Sequence, residues 1–138
     1  MSQKPSLFDL HGSVWMTAGG KSFGGKGRID LLAHIAECGS ITKAAKAMGM
    51  SYKAAWDAID TMNNLAREPL VERTTGGKGG GGTRLTTRGQ QLVANFHLIE
   101  QEHSRFIEQL GRQVDGIADD FMMLRRISMK TSARNQVN

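Results

Sequence analysis

The hydrophobic pattern along the chain changes period several times, and each change marks an element. S-V-W-M-T-A, residues 13–18, alternates apolar and polar positions among β-formers, which predicts a strand. G-G-K-S-F-G-G-K-G, 19–27, follows as a turn or short hairpin. From 28 to 39 the period becomes helical: Ile29, Leu32 and Ile35–Ala36 share a face, and Gly39 supplies a stop because glycine enters the left-handed region cheaply. A second, alanine-rich helix over 40–49 takes Ser40 or Thr42 as its cap and ends at Gly49. A third, 51–66, has Ser51 as its cap and a buried stripe of Ala55, Ile59 and Met62; Pro69 closes this helical region. Two short β-branched segments, L-V-E-R-T-T and T-R-L-T-T, flank T-T-G-G-K-G-G-G-G-T, residues 74–83. They predict a hairpin with a glycine-rich tip.

A long helix then begins. Thr87 and Gln90 have capping-box spacing, and Thr86 is an equally good cap. Leu92, Phe96, Ile99, His103, Phe106 and Leu110 recur with a period of 3.5, the seam of a left-handed helix pair. The seam covers only about two and a half heptads, so it needs support from the body it grows out of. D-G-I-A-D-D, 115–120, weakens the helix, and residues 124–138 read as extended.

Composition narrows the function classes. The chain has 138 residues, 39% of them apolar, which suits one globular domain with an appendage. Cys38 is the sole cysteine, so no internal disulfide framework or multi-cysteine zinc site is available; its apolar neighbours predict a buried thiol. No apolar run reaches the roughly 18 residues of a membrane span, and the first residues lack a signal-peptide core. The expectation is a cytoplasmic protein without a membrane partner. Residues 1–88 hold 12 Lys/Arg against 7 Asp/Glu, while 89–138 hold 6 of each. All of the net +5 charge thus sits in the front part, which points to an anionic partner there.

Enzyme chemistry finds no support in the motifs. A phosphate-binding P-loop needs G-x-x-x-x-G-K-[ST]. G-K-S-F-G-G-K-G, 20–27, keeps that spacing but has Gly27 where the hydroxyl belongs, and Lys78 in the second glycine loop is followed by Gly79. His11, His34, His97 and His103 show no H-x-x-x-H or H-E-x-x-H spacing, so no helical zinc site is expected. The reading is a non-enzyme without a required cofactor or metal.

Helix, tight turn, helix, tight turn, helix, hairpin is the order of a helix-turn-helix with a wing behind it. The expected class is mainly α with a small β component: a winged helix-turn-helix over 1–88, a long dimerisation helix over 89–115, and a linker with one strand over 116–138. The third helix would offer its amino end, Ser51, Tyr52 and Lys53, to the major groove of double-stranded DNA. Trp56, one turn on, reads equally as a contact or as core. Thr42 lies at the start of the second helix. Lys43, Lys53, Arg73, Lys78 and Arg84 are the candidates for phosphate neutralisation; a dimer using four or five per subunit would show a salt slope of about −7 to −9. Leu92, Phe96, Ile99, His103, Phe106 and Leu110 are the candidate homodimer seam.

G-S-I-T-K-A-A-K-A-M-G-M-S-Y-K-A-A-W-D-A-I-D-T-M-N-N-L, followed by the glycine-rich wing with its single lysine, closely resembles the amino-terminal domain of the ModE family of molybdate-responsive transcriptional regulators. That domain is a winged helix of the type also used by LysR regulators, and the resemblance runs from about Ser13 to Leu110. S-M-K-T-S-A-R-N-Q, 128–136, looks like the opening strand of the family's molybdate-binding Mop domain. The resemblance assigns Ser132 and Arg134 to an oxyanion site, a sensible donor pair for a tetrahedral dianion. A complete small barrel needs several more strands, roughly 50 residues. The chain therefore reads as a truncated regulator, or a free-standing DNA-binding protein controlled otherwise. Molybdate is an effector only with the rest of the Mop domain, and no useful molybdate affinity is expected from this chain alone. Two rivals remain from other classes. One is a protein-interaction module docking through the long helix. The other is an oxyanion sensor, which rests on T-S-A-R-N-Q alone.

Overall fold

The computed structural model describes residues 8–75 and 82–135, with side chains as far as residue 114. The chain divides into two compact units, Ser13–Gln101 and Met1–Gly12 with Glu102–Asn138. Among the described residues the order is β1 (Trp15–Ala18), β2 (Lys21–Gly25), α1 (Lys26–Cys38), α2 (Ile41–Ala47), α3 (Tyr52–Ala66), β3 (Val71–Arg73), β4 (Thr83–Leu85) and α4 (Thr87–Asn135). The class is the expected one, mainly helical with two small antiparallel sheets. No helix among the described residues is long and apolar enough to cross a membrane.

In the first unit, β1 and β2 form a hairpin closed by Gly19 and Gly20, at φ 58° and 79°. Two consecutive positive φ values give the turn whose twist matches the strands. A register shift between Met16 and Thr17 leaves Phe23 out of the ladder, and Phe23 is buried in the core. The irregularity thus re-aims one large apolar side chain inward. The Arg28 guanidinium donates to the Phe23 carbonyl at 2.8 Å, tying the hairpin to α1.

Helix α1 buries Ile29, Leu31, Leu32 and Ile35. Gly39 ends it at φ 67°, its N–H donating to the Ile35 carbonyl, as the sequence predicts. Two expectations fail here. Ala36 and Cys38 are exposed, although Ala36 shares the periodic face of Ile29, Leu32 and Ile35 and Cys38 has apolar neighbours. They lie in the last turn, and the core ends at Ile35, one turn before the helix does. The Cys38 thiol instead donates to the His34 carbonyl at 2.9 Å.

Ser40, rather than Thr42, caps α2, its Oγ accepting from the Lys43 amide at 3.2 Å. Ser51 caps α3 in the same way, from the Ala54 amide at 3.1 Å. Ala55, Ala58, Ile59 and Met62 make the buried stripe of α3. Arg67, in the left-handed region at φ 59°, stops α3 two residues before Pro69. The Leu70 amide donates to Asn63 Oδ1 at 2.8 Å, which fixes the chain's exit toward β3.

Strands β3 and β4 pair Val71 with Leu85, Glu72 with Arg84 and Arg73 with Thr83. Period two sends Val71 and Leu85 into the core and Glu72 and Arg84 outward. Thr86 caps α4: its Oγ1 accepts from the Gly89 amide at 3.1 Å and donates to the Pro69 carbonyl at 2.7 Å. The core gathers Phe23, the α1 and α3 stripes, Ala44, Leu70 and Phe96.

Helix α4 does not break where the sequence predicts. It runs through Asn135, across 115–120 and through the segment 124–135 expected to be extended. One glycine in a helix costs only about 1 kcal/mol and does not stop it. A strand needs a neighbour for its N–H and C=O groups, whereas a helix satisfies them within the segment. Both sheets among the described residues are complete two-stranded hairpins within Ser13–Gln101. In the second unit, Gly12 passes so close to α4 that a Cβ there would sit 2.9 Å from Ile107 Cδ1 and 3.1 Å from His103 Cε1.

Candidate nucleic-acid interface

Helices α2 and α3 are joined by a turn in which Gly49 takes φ 65°. The alanines of α2 at 44 and 45 are buried, so the two helices approach without bulky side chains between them. The capped start of α3 then stands free at the surface. Tyr52 is 51% exposed, and Ser51 and Lys53 are exposed beside it. The Ser51 hydroxyl accepts an intrahelical amide, and its own proton remains available to an outside acceptor.

The wing stands opposite. Its base is fastened to the α1–α2 turn, the Thr83 amide donating to the Gly39 carbonyl at 3.0 Å. Across the wing, Thr74 and Gly82 exchange two hydrogen bonds, amide of Thr74 to carbonyl of Gly82 and amide of Gly82 to Thr74 Oγ1, each 2.9 Å. Between α3 and this base lies a groove of about 550 Å³, lined by Ser40, Thr42, Tyr52, Trp56, Arg73 and the wing threonines.

The structure thus brings together Thr42, Tyr52, Trp56 and Arg73 from the sequence-derived set. Lys43 is exposed on α2. Lys53 pairs with Asp57 at 3.1 Å and Arg84 with Glu72 at 2.8 Å, so both reach a phosphate only in competition with an exposed carboxylate. Lys78 lies outside the described residues. Trp56 resolves its two readings into a third: it is partly buried against the core, while its ring meets Tyr52 edge-on and carries Arg73 over its face. Sequence reasoning missed Ser40, Thr74, Thr75 and Thr83, which line the same groove. For the threonines the signal was present, Thr74 and Thr75 before the glycine loop and Thr83 directly after it.

The candidate dimer seam is the set whose residues separate most. Phe96 is 1% exposed and belongs to the core, so it has no surface left for a second chain. Leu92 packs partly against that core. Ile99 is 46% exposed and Phe106 55%, and Leu98, absent from the seam, is more exposed than either. His103 and Leu110 are half-buried. A 3.5 period marks an apolar stripe without telling which part faces the helix's own domain. Ser132 and Arg134 fall within α4 by backbone, and their side chains lie outside the described residues. No cluster of metal-ligating side chains occurs among the described residues.

Residues 27–90 match the family model of the bacterial regulatory helix-turn-helix protein, lysR family. The chain is 50% identical over 114 residues to the molybdenum transport protein ModE of Azotobacter vinelandii, covering 79% of this chain and 42% of that protein. It is 47% identical over 118 residues to the DNA-binding transcriptional dual regulator ModE of Escherichia coli (strain K12), covering 84% of this chain and 45% of that protein. It therefore spans less than half the length of these curated relatives. Among solved structures, ArgP from Mycobacterium tuberculosis matches 62% of this chain and 30% of its own, at a TM-score of 0.47 and 20% identity. Residues 27–90 thus match a bacterial regulatory helix-turn-helix model of the lysR family, in a chain that over most of its length is similar to ModE proteins.

Proposed function

We propose that this chain is a sequence-specific DNA-binding transcriptional regulator that binds double-stranded DNA as a homodimer in the cytoplasm. The observation that carries the reading is the shared groove: the free amino end of α3 and the base of the wing line it together, with Arg73 between them. An α-helix fits the major groove, and cations at its flank neutralise the backbone. Exposed Leu98, Ile99 and Phe106 on α4 support association of two copies, since large apolar side chains at a helix surface gain most by mutual burial. The similarity to ModE proteins, one of them named a molybdenum transport protein, supports genes of molybdate uptake or molybdenum metabolism as the target; molybdate would act as an effector only together with the rest of a Mop domain.

The test is selection of duplexes from a random pool, followed by binding of the enriched site. Wild type should enrich a palindrome-like site, and Lys53→Ala should lose affinity with self-association intact. Enrichment of no sequence, or equal binding by Lys53→Ala, would sink the reading. Titration calorimetry with molybdate separates the effector question: heat at micromolar concentration would assign oxyanion binding to this chain itself.

A further inference from the structure

Trp56 and Arg73 come from different elements, α3 and β3, yet the Arg73 Cζ lies 4.9 Å from the centroid of the Trp56 ring. Tyr52 sets its ring against the same indole, centroids 6.2 Å apart and planes at 81°. The indole is held from below by the core. One face is therefore committed to the guanidinium rather than open to a base edge. Arginine carries five N–H donors spread around one plane, so a guanidinium lying over a ring face keeps donors for an outside acceptor. Among the described residues no carboxylate pairs with Arg73; Glu72, its neighbour, is engaged with Arg84 on the outer face of the wing.

The surroundings point to an anion. Ser40, Thr42, Thr74 and Thr75, all hydroxyl-bearing residues, line the groove beside Arg73. A fixed guanidinium among hydroxyls suits a single phosphodiester. Left unstacked, a long arginine would lose more rotamer freedom on binding. Resting on the DNA-binding reading, we propose that Trp56 is a positioning residue: it holds the Arg73 guanidinium at the wing base, where it takes one DNA phosphate.

Affinity for a fluorescein-labelled mixed-sequence duplex, measured over a salt series, tests this, because each neutralised phosphate contributes about 0.9 to the slope of log K against log salt. Arg73→Ala should flatten the slope by about 0.9 per chain. Trp56→Leu, which keeps apolar packing but has no π face, should flatten it by the same amount. Trp56→Phe should keep most of it, and Trp56→Leu with Arg73→Ala should flatten it no further than either alone. A full slope in folded Trp56→Leu, or additive losses in the double variant, would overturn the positioning role while leaving DNA binding in place. A wild-type chain without salt-dependent duplex binding would overturn both.

Discussion

The amide of Thr83 donates to the carbonyl of Gly39 at 3.0 Å, so the returning strand of the wing is bonded to the turn that ends α1. Gly82, one residue earlier, lies against the same carbonyl: a Cβ there would sit 2.7 Å from the Gly39 oxygen. That atom is backbone and cannot swing aside. Gly82→Ala should therefore cost about 1–3 kcal/mol, the range for forcing extra volume into a packed site. Gly27, in the first turn of α1, is the control, since a Cβ there meets nothing within 4 Å. Gly27→Ala should stabilise by about 0.4–1 kcal/mol through the unfolded chain. Urea unfolding of the two variants should move in opposite directions, and a loss in both would contradict the contact argument.

A harsher case is Gly89, where α4 crosses the exit from α3. A Cβ at this position would overlap the Leu70 carbonyl oxygen. The same oxygen accepts the Thr86 amide, so it cannot retreat without losing the bond that starts α4. Gly89→Ala should fall at or beyond the upper end of that roughly 1–3 kcal/mol range. Thermal unfolding by circular dichroism reads it, and a wild-type midpoint would show that α4 can shift freely.

Much of this architecture was legible in local signals. Gly39, Ser51 and the wing's flanking strands act within a few residues of where they stand, and the structure places them accordingly. What the sequence hid depends on partners far along the chain. Cys38 has the apolar neighbours of a buried residue, but only the packed fold shows that the core stops a turn short of it. Phe96 fits the 3.5 period as well as Phe106 does, and nothing in the spacing tells a domain core from a free surface. The Trp56–Arg73 contact joins residues on different elements and leaves no periodic trace.

Phe96 and Phe106 convert that ambiguity into a prediction. Phe96 is fully buried in the core, so Phe96→Ala should cost about 3–5 kcal/mol and lower the unfolding midpoint steeply. Phe106 is 55% exposed, and Phe106→Ala should leave the midpoint within the effect of about 0.5 kcal/mol usual for surface sites. Its consequence belongs to association: sedimentation should show weaker dimers in Phe106→Ala than in wild type. If folded Phe106→Ala associates as strongly as wild type, Phe106 has no part in a dimer.

Asp57 gives the sharpest electrostatic prediction. Its carboxylate holds Lys53 at 3.1 Å, and both groups are exposed. The lysine precedes the acid, the weaker orientation for a pair four residues apart on a helix, so the pair contributes less than about 0.3–0.5 kcal/mol. Asp57→Asn should thus leave stability nearly unchanged. Toward DNA the change is larger in kind: it frees Lys53 and removes a negative charge beside the amino end of α3, where phosphates would approach. Affinity for mixed-sequence duplex at low salt should rise, and the difference from wild type should shrink as salt screens it. Fluorescence anisotropy at two ionic strengths measures both effects. Equal or weaker binding by Asp57→Asn at low salt would place the DNA away from this face of α3.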